Sequence, residues 1–218
     1  MTIIDLKALK QIAIERLADV EDGDSIEGLE RCLIEVGLAL SVTSLDPRAI
    51  DEALTAAFEQ GATVSQIQEV ASLVSGLGVH SLMASAAAIA EVASRFDQQL
   101  DVTLDEERQA LWDRYVGADP YWKKFETAVP GFLAALIRLS PGQFAAFFDY
   151  CALPWITRHV PARTKELVSL ACDATPAHRF LPGFTLHLDN AIAIGVGREA
   201  IMQTLEIAAS APSHCGYP

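Results

Sequence analysis

GATVSQIQEVASLVSGLGVHS (Gly61–Ser81) and GVGREAIMQTLEIAASAPSHC (Gly195–Cys215) are the two stretches whose comparison decides the fold. At a constant offset of 134 positions Gly61 meets Gly195, Ile67 meets Ile201 and His80 meets His214. The register continues upstream without a gap, pairing Ala57 with Ala191, Leu54 with Leu188, Leu33 with Leu167 and Arg31 with Lys165. Each copy gives the same order: an apolar helix, an irregular link, a second helix ending at glycine, then a third helix. Glycine after the second helix suits a left-handed C-terminal cap. In the first copy Thr63 and Gln66 have the spacing of a capping box that opens the third helix. The second copy has Gly197 and Arg198 there, which predicts a weaker cap.

Working outward, no run of alternating β-branched residues is long enough for a strand, so the chain reads as all-α. With 218 residues, 51% of them hydrophobic, it can bury a sizeable core. The repeat divides it into a degenerate first copy, residues 1–95, and a second copy, residues 96–218. Between them RFDQQLDVTLDEERQALWDRYVGADPYWKKFET is charged and aromatic. It predicts a helix from near Leu104, a turn at Ala118-Asp119-Pro120, and further helices over Val129–Ile137 and Gly142–Cys151, with Pro141 starting the second. Trp112, Trp122 and Trp155 read as core or interface aromatics. Short, strongly apolar helices should pack on one another or on neighbouring subunits, which predicts a homo-oligomer.

The formal charge of -13 argues against nucleic acid and anionic membrane surfaces as partners, because both demand basic patches. MTIIDLKALKQIAIERLADV, the first twenty residues, mixes charge with apolar residues at helical spacing and reads as neither signal peptide nor membrane span, so a cytoplasmic location is expected. Cys32, Cys151, Cys172 and Cys215 have no C-x-x-C spacing and should be reduced thiols. No His, Asp and Cys set has metal-ligand spacing and no glycine-rich phosphate loop occurs, so no metal, nucleotide or other cofactor is expected.

Two phrases in the second copy carry chemistry. RTKELVSLACDA (Arg163–Ala174) and TLHLDNAIAIGV (Thr185–Val196) each place an isolated ionisable residue, Glu166 and His187, on an apolar helix. Histidine changes protonation near neutral pH, and a glutamate does so once burial raises its pKa. On adjacent antiparallel helices the two side chains could meet, the carboxylate fixing the imidazole tautomer or stabilising its cation. The plainer reading is a buried pair that stitches two helices together. The first copy, with Cys32 and Ala53 at the matching positions, weighs against a purely structural need. Cys172 falls on the opposite side of its helix from Glu166 and reads as core filler, while Asp189 points away from His187. His178 and Arg179, in a loop after Pro176, could bind a substrate carboxylate. His214 and Cys215 could close a pocket.

From Pro161 onward the chain resembles the carboxymuconolactone decarboxylase family, which includes the alkylhydroperoxidase D type of peroxidase. The resemblance rests on R-T-K-E-L-V, on His187 followed by Ala191 and Gly195-Val196, and on the Ile201–Leu205 helix. It implies an all-α chain, in duplicated form here, that assembles into closed rings, commonly trimers or hexamers. Peroxidases of the family carry a C-x-x-C pair before the histidine; Phe180 and Gly183 hold those positions here. Neither can form an attacking thiolate, so the resemblance leans to the decarboxylase branch. It implies decarboxylation or proton transfer on a small organic acid or lactone, with Glu166 and His187 catalytic; His178, Arg179 and His214 are the candidates read from the residues themselves for binding that substrate. Two alternatives stay open: a peroxide reductase, should Cys172 and Cys215 approach each other, and a non-catalytic binding or scaffold member.

Overall fold

A computed structural model describes residues 4–96, 98, 100, 101, 103–214 and 216, which are helical and contain no strand. The all-α reading holds. The halves 1–95 and 96–218 divide the chain by likeness of sequence, whereas compactness divides it elsewhere. One unit joins Met1–Leu77 to Pro154–Pro218, and a second comprises Gly78–Leu153.

The first unit contains α1 (Leu6–Arg16), α2 (Gly28–Leu40), α3 (Pro47–Glu59), α4 (Val64–Ser75), α10 (Ala162–Ala174), α11 (Leu181–Ala193) and α12 (Arg198–Ala209). The bounds of α2, α3 and α4 recur 134 positions later as those of α10, α11 and α12. The same offset relates their caps. Gly61 and Gly195 both have φ +85°. Ala62 N–H donates to Ala57 O and Gly61 N–H to Phe58 O; Val196 repeats this to Ala191 O and Gly195 to Ile192 O. Both α3 and α11 therefore end in a Schellman motif.

The helix starts differ. Thr63 and Gln66 form the expected capping box on α4. At α12 the expectation of a weak cap needs correcting, because residues distant in sequence supply the acceptors. Glu21 O accepts from Arg198 N–H and Asp22 O from Glu199 N–H, both at 2.9 Å. Gly197 permits this approach, since a Cβ there would lie 2.3 Å from Asp22 O. Arg198 Nη2 in turn donates to the carbonyls of Leu17, Ala18 and Val20, just past the end of α1.

α2 and α10 cross at the centre, where Val168 lies so close to Gly37 that a Cβ on the glycine would sit 2.6 Å from Val168 Cγ1. Leu33, Ile34, Leu167, Leu170, Leu188, Ile201 and Leu205 are buried around this crossing. The lead-in segments are held reciprocally. Glu69 on α4 accepts from Val160 N–H ahead of α10, and Gln203 on α12 accepts from Ile26 N–H ahead of α2. Both donor and acceptor positions again differ by the repeat offset.

The second unit holds α5 (His80–Ser94), α6 (Glu106–Tyr115), α7 (Pro120–Ala128), α8 (Phe132–Leu139) and most of α9 (Pro141–Ile156). Sequence reading missed α7. Asp119 accepts from Tyr121 N–H as its N-cap and Pro120 opens it, so the expected turn is a helix start. α9 starts at Pro141 as expected but runs past Cys151 with Pro154 inside it. Trp112 stacks on Phe144 and Trp122 meets Phe148 edge-on, forming an aromatic cluster. A groove of about 480 Å³ in this unit is lined by Ala87, Ala90, Gly131, Ala134 and Arg138 among others, and includes neither Glu166 nor His187. Val64–Ser94 is apolar and long enough to cross a membrane by length and composition alone, although its α4 part carries the charged residue Glu69, which is buried.

Candidate functional site

The site is built on the antiparallel hairpin of α10 and α11. Phe180 N–H donates to Asp173 O at 3.0 Å where the chain re-enters helix, and Pro182 sits in the first turn of α11, where a missing N–H costs nothing. In this register Glu166 and His187, 21 residues apart in the chain, face each other. His187 Nδ1 and Glu166 Oε2 are 2.7 Å apart, and Asn190 Nδ2 donates to Glu166 Oε1 at 3.4 Å. With the carboxylate accepting, Nδ1 carries the proton and Nε2 is left to act as base, or as acid once protonated. The His187 side chain retains 19% of its accessibility against 8% for Glu166, so the ring can be reached while its partner is enclosed. Burial alone would lower the His187 pKa, but the hydrogen bond and charge of Glu166, with the charge of Asp173, reverse this and raise it.

Asp173 is a site residue that sequence reading missed. It is 1% exposed, and burial pushes its carboxyl up to about 7, with His187 opposing the shift. A Cβ at Gly183 would lie 2.2 Å from Asp173 Oδ2, so the carboxyl group fills the space a larger residue at 183 would need. The usable signal was spacing: Asp173 follows Glu166 by seven positions, two helical turns, and shares its face. Glu166 is therefore not the isolated ionisable group of its helix, because α10 also buries Lys165 and Asp173. Asp189 on α11 turns away, as expected, to meet Arg16 at 2.9 Å.

The remaining candidates occupy different settings. His178 Nε2 lies 3.6 Å from Asp173 Oδ1, its ring stacks on Phe180, and burial lowers its pKa. Arg179 is exposed, with φ +49°. His214, also exposed, accepts the Gly216 N–H at Nδ1.

Lys165 anchors the start of α10. Its Nζ lies 2.6 Å from Glu69 Oε1 and donates to Pro154 O, with the Trp155 ring centroid 5.5 Å away. Glu69 also accepts from the His159 and Val160 amides. Burial opposes its ionisation, but hydrogen bonds from Lys165, Thr157, His159 and Val160 hold its carboxyl at about 2. This buried pair fixes the segment that delivers Glu166.

Thiol chemistry finds little support. Cys172 is fully buried, and burial pushes its thiol far up, with the charge of Asp173 adding to the effect. Burial also raises Cys151, to about 11, and Cys32. Cys215, whose approach to Cys172 the peroxide-reductase alternative requires, lies outside the described residues.

No family model matches the chain, and no curated protein does. Among solved structures the chain is similar to that of a candidate gamma-carboxymuconolactone decarboxylase subunit from Burkholderia xenovorans LB400. The two share 26% sequence identity and a TM-score of 0.72 over 93% of this chain and 78% of the other. The chain thus has the carboxymuconolactone decarboxylase-like fold.

Proposed function

We propose that the chain is a small-molecule enzyme of decarboxylase or proton-transfer type, acting on an organic acid or lactone, with Glu166 and His187 as its acid–base centre. One observation carries this reading: a 2.7 Å carboxylate–imidazole contact between two packed helices, with the Glu166 side chain 8% and the His187 side chain 19% exposed. The likeness to a candidate decarboxylase subunit supports it. In such a reaction the bond from carbon to the substrate carboxylate breaks and CO₂ leaves. The electron pair spreads into the conjugated lactone and then takes a proton at carbon. The imidazolium of His187 supplies that proton from Nε2, while Glu166 steadies the cation through Nδ1. Solvent reprotonates the ring. His178, Arg179 and His214 are proposed to meet the substrate. The matching bounds and caps of the two helix triplets support a duplication in which only the second copy carries the pair.

The test is turnover of gamma-carboxymuconolactone by the intact protein, followed by CO₂ release. His187→Gln and Glu166→Gln should fold and lose on the order of 10²-fold or more in kcat. Full activity in a folded His187→Gln protein would overturn the assignment.

A further inference from the structure

We propose that Asp173 is a positioning residue of this centre, whose carboxyl group occupies the space against the α-carbon of Gly183 and acts on His187 as a second acidic partner beside Glu166. Gly183 and His187 are four residues apart on α11 and so lie on one face, about one turn from each other. Whatever fills the space at 183 therefore borders the imidazole. A Cβ at 183 would lie 2.2 Å from Asp173 Oδ2, 3.0 Å from Asp173 Cγ and 3.0 Å from Phe180 Cδ1, so a larger residue at 183 forces the carboxyl to move. Glycine at 183 is then a requirement of Asp173 as well as the absence of a cysteine. On α10 Asp173 follows by two turns the Glu166 whose carboxylate meets His187. His178, on the 175–180 link, faces Asp173 from its other neighbouring segment. The charge of Asp173 favours the protonated ring of His187, and His187 in turn opposes the upward push that burial gives the Asp173 carboxyl.

The kinetic arm of the test rests on the acid–base reading above, whereas the spectroscopic arm does not. Asp173→Asn keeps the shape and removes the charge; Gly183→Ala keeps the charge and forces the carboxyl aside. In each variant the ¹⁵N shifts of the His187 ring at pH 7 should move toward those of neutral imidazole. The double variant should move no further than Asp173→Asn alone. With gamma-carboxymuconolactone as probe, kcat should fall on the order of tenfold, while KM stays within about twofold. Should Asp173→Asn fail to fold, Gly183→Ala decides. Unchanged His187 shifts in the folded variants would overturn the proposal. A wild type inert toward the lactone would count against the functional reading alone, since the ring shifts still decide the role of Asp173.

Discussion

Glu69→Gln is the most demanding test of the fold that presents the site. The Glu69 and Lys165 side chains are 1% and 4% exposed and 2.6 Å apart, and the carboxylate also accepts two amide N–H groups. Glutamine offers one oxygen where two were used, and it leaves an ammonium buried without a countercharge. Removing one partner from such a pair costs about 3–5 kcal/mol. At about 2–4 °C per kcal/mol for a chain of this size, Tm should fall by roughly 6–20 °C. The acid side gives an independent figure. Glu69 is held at about 2 against 4.5 when unperturbed, a difference of about 3 kcal/mol. Because the folded pKa is depressed, this stability is fully present above 4.5 and is lost as pH falls toward 2. The variant should lack that part of the acid dependence. Glu69→Gln/Lys165→Met removes the orphaned ammonium and should recover at least half of the loss, because Gln203 holds Ile26 N–H without any cation. Thermal melts by circular dichroism between pH 3 and 8 provide the measurement. A Glu69→Gln protein melting within about 2 °C of wild type at pH 7 would refute the reasoning.

Four further outcomes follow from the same structure. Gly197→Ala should destabilise the protein by about 1–3 kcal/mol in urea unfolding, since its Cβ would meet the Asp22 carbonyl that caps α12. Gly61→Ala, with nothing within 4 Å of its Cβ, should cost only its left-handed backbone, about 1 kcal/mol. The Asp173 carboxyl, raised from 3.8 to about 7, binds its proton more tightly in the folded state; stability should therefore fall as pH rises through that window, and Asp173→Asn should flatten the slope while melting higher at pH 8. Peroxide consumption coupled to a dithiol should stay at background, and a rate abolished by Cys172→Ser would reverse the ranking of decarboxylase over peroxidase.

The matching order and ends of the two helix triplets and the facing of Glu166 and His187 were legible because periodicity and glycine placement are local signals. Gly61 and Gly195 announced their caps, and Thr63 with Gln66 announced a helix start. What escaped depends on residues distant in the chain. The cap of α12 comes from Glu21 and Asp22, about 175 positions earlier, which no window around Gly197 contains. The burial of Lys165 escaped because its partner Glu69 lies on α4, far from it in the chain. Asp173 was hidden by its place next to the end of α10, where a polar residue usually marks a helix terminus. α7 was lost differently: its D-P start is a local signal that serves turns and helix N-termini alike.

The asymmetry between the two helix triplets separates what the hairpin needs from what it carries. Both second helices close with the same Schellman bonds, and both lead-in segments are fastened by a side chain on the third helix of the opposite triplet. The first copy achieves this with Cys32 and Ala53 where the second has Glu166 and His187. A hairpin of this geometry thus forms without the pair, and burying a carboxylate and an imidazole in the other copy costs desolvation that packing does not require. The second copy accepts a further buried carboxyl, Asp173, where the first has Ala39. Three ionisable groups gathered on one hairpin, against a cysteine and two alanines on its counterpart, point away from stitching and support a chemical use. A folded protein in which Glu166→Cys and His187→Ala together leave Tm unchanged or higher, while abolishing turnover, is the outcome this asymmetry predicts.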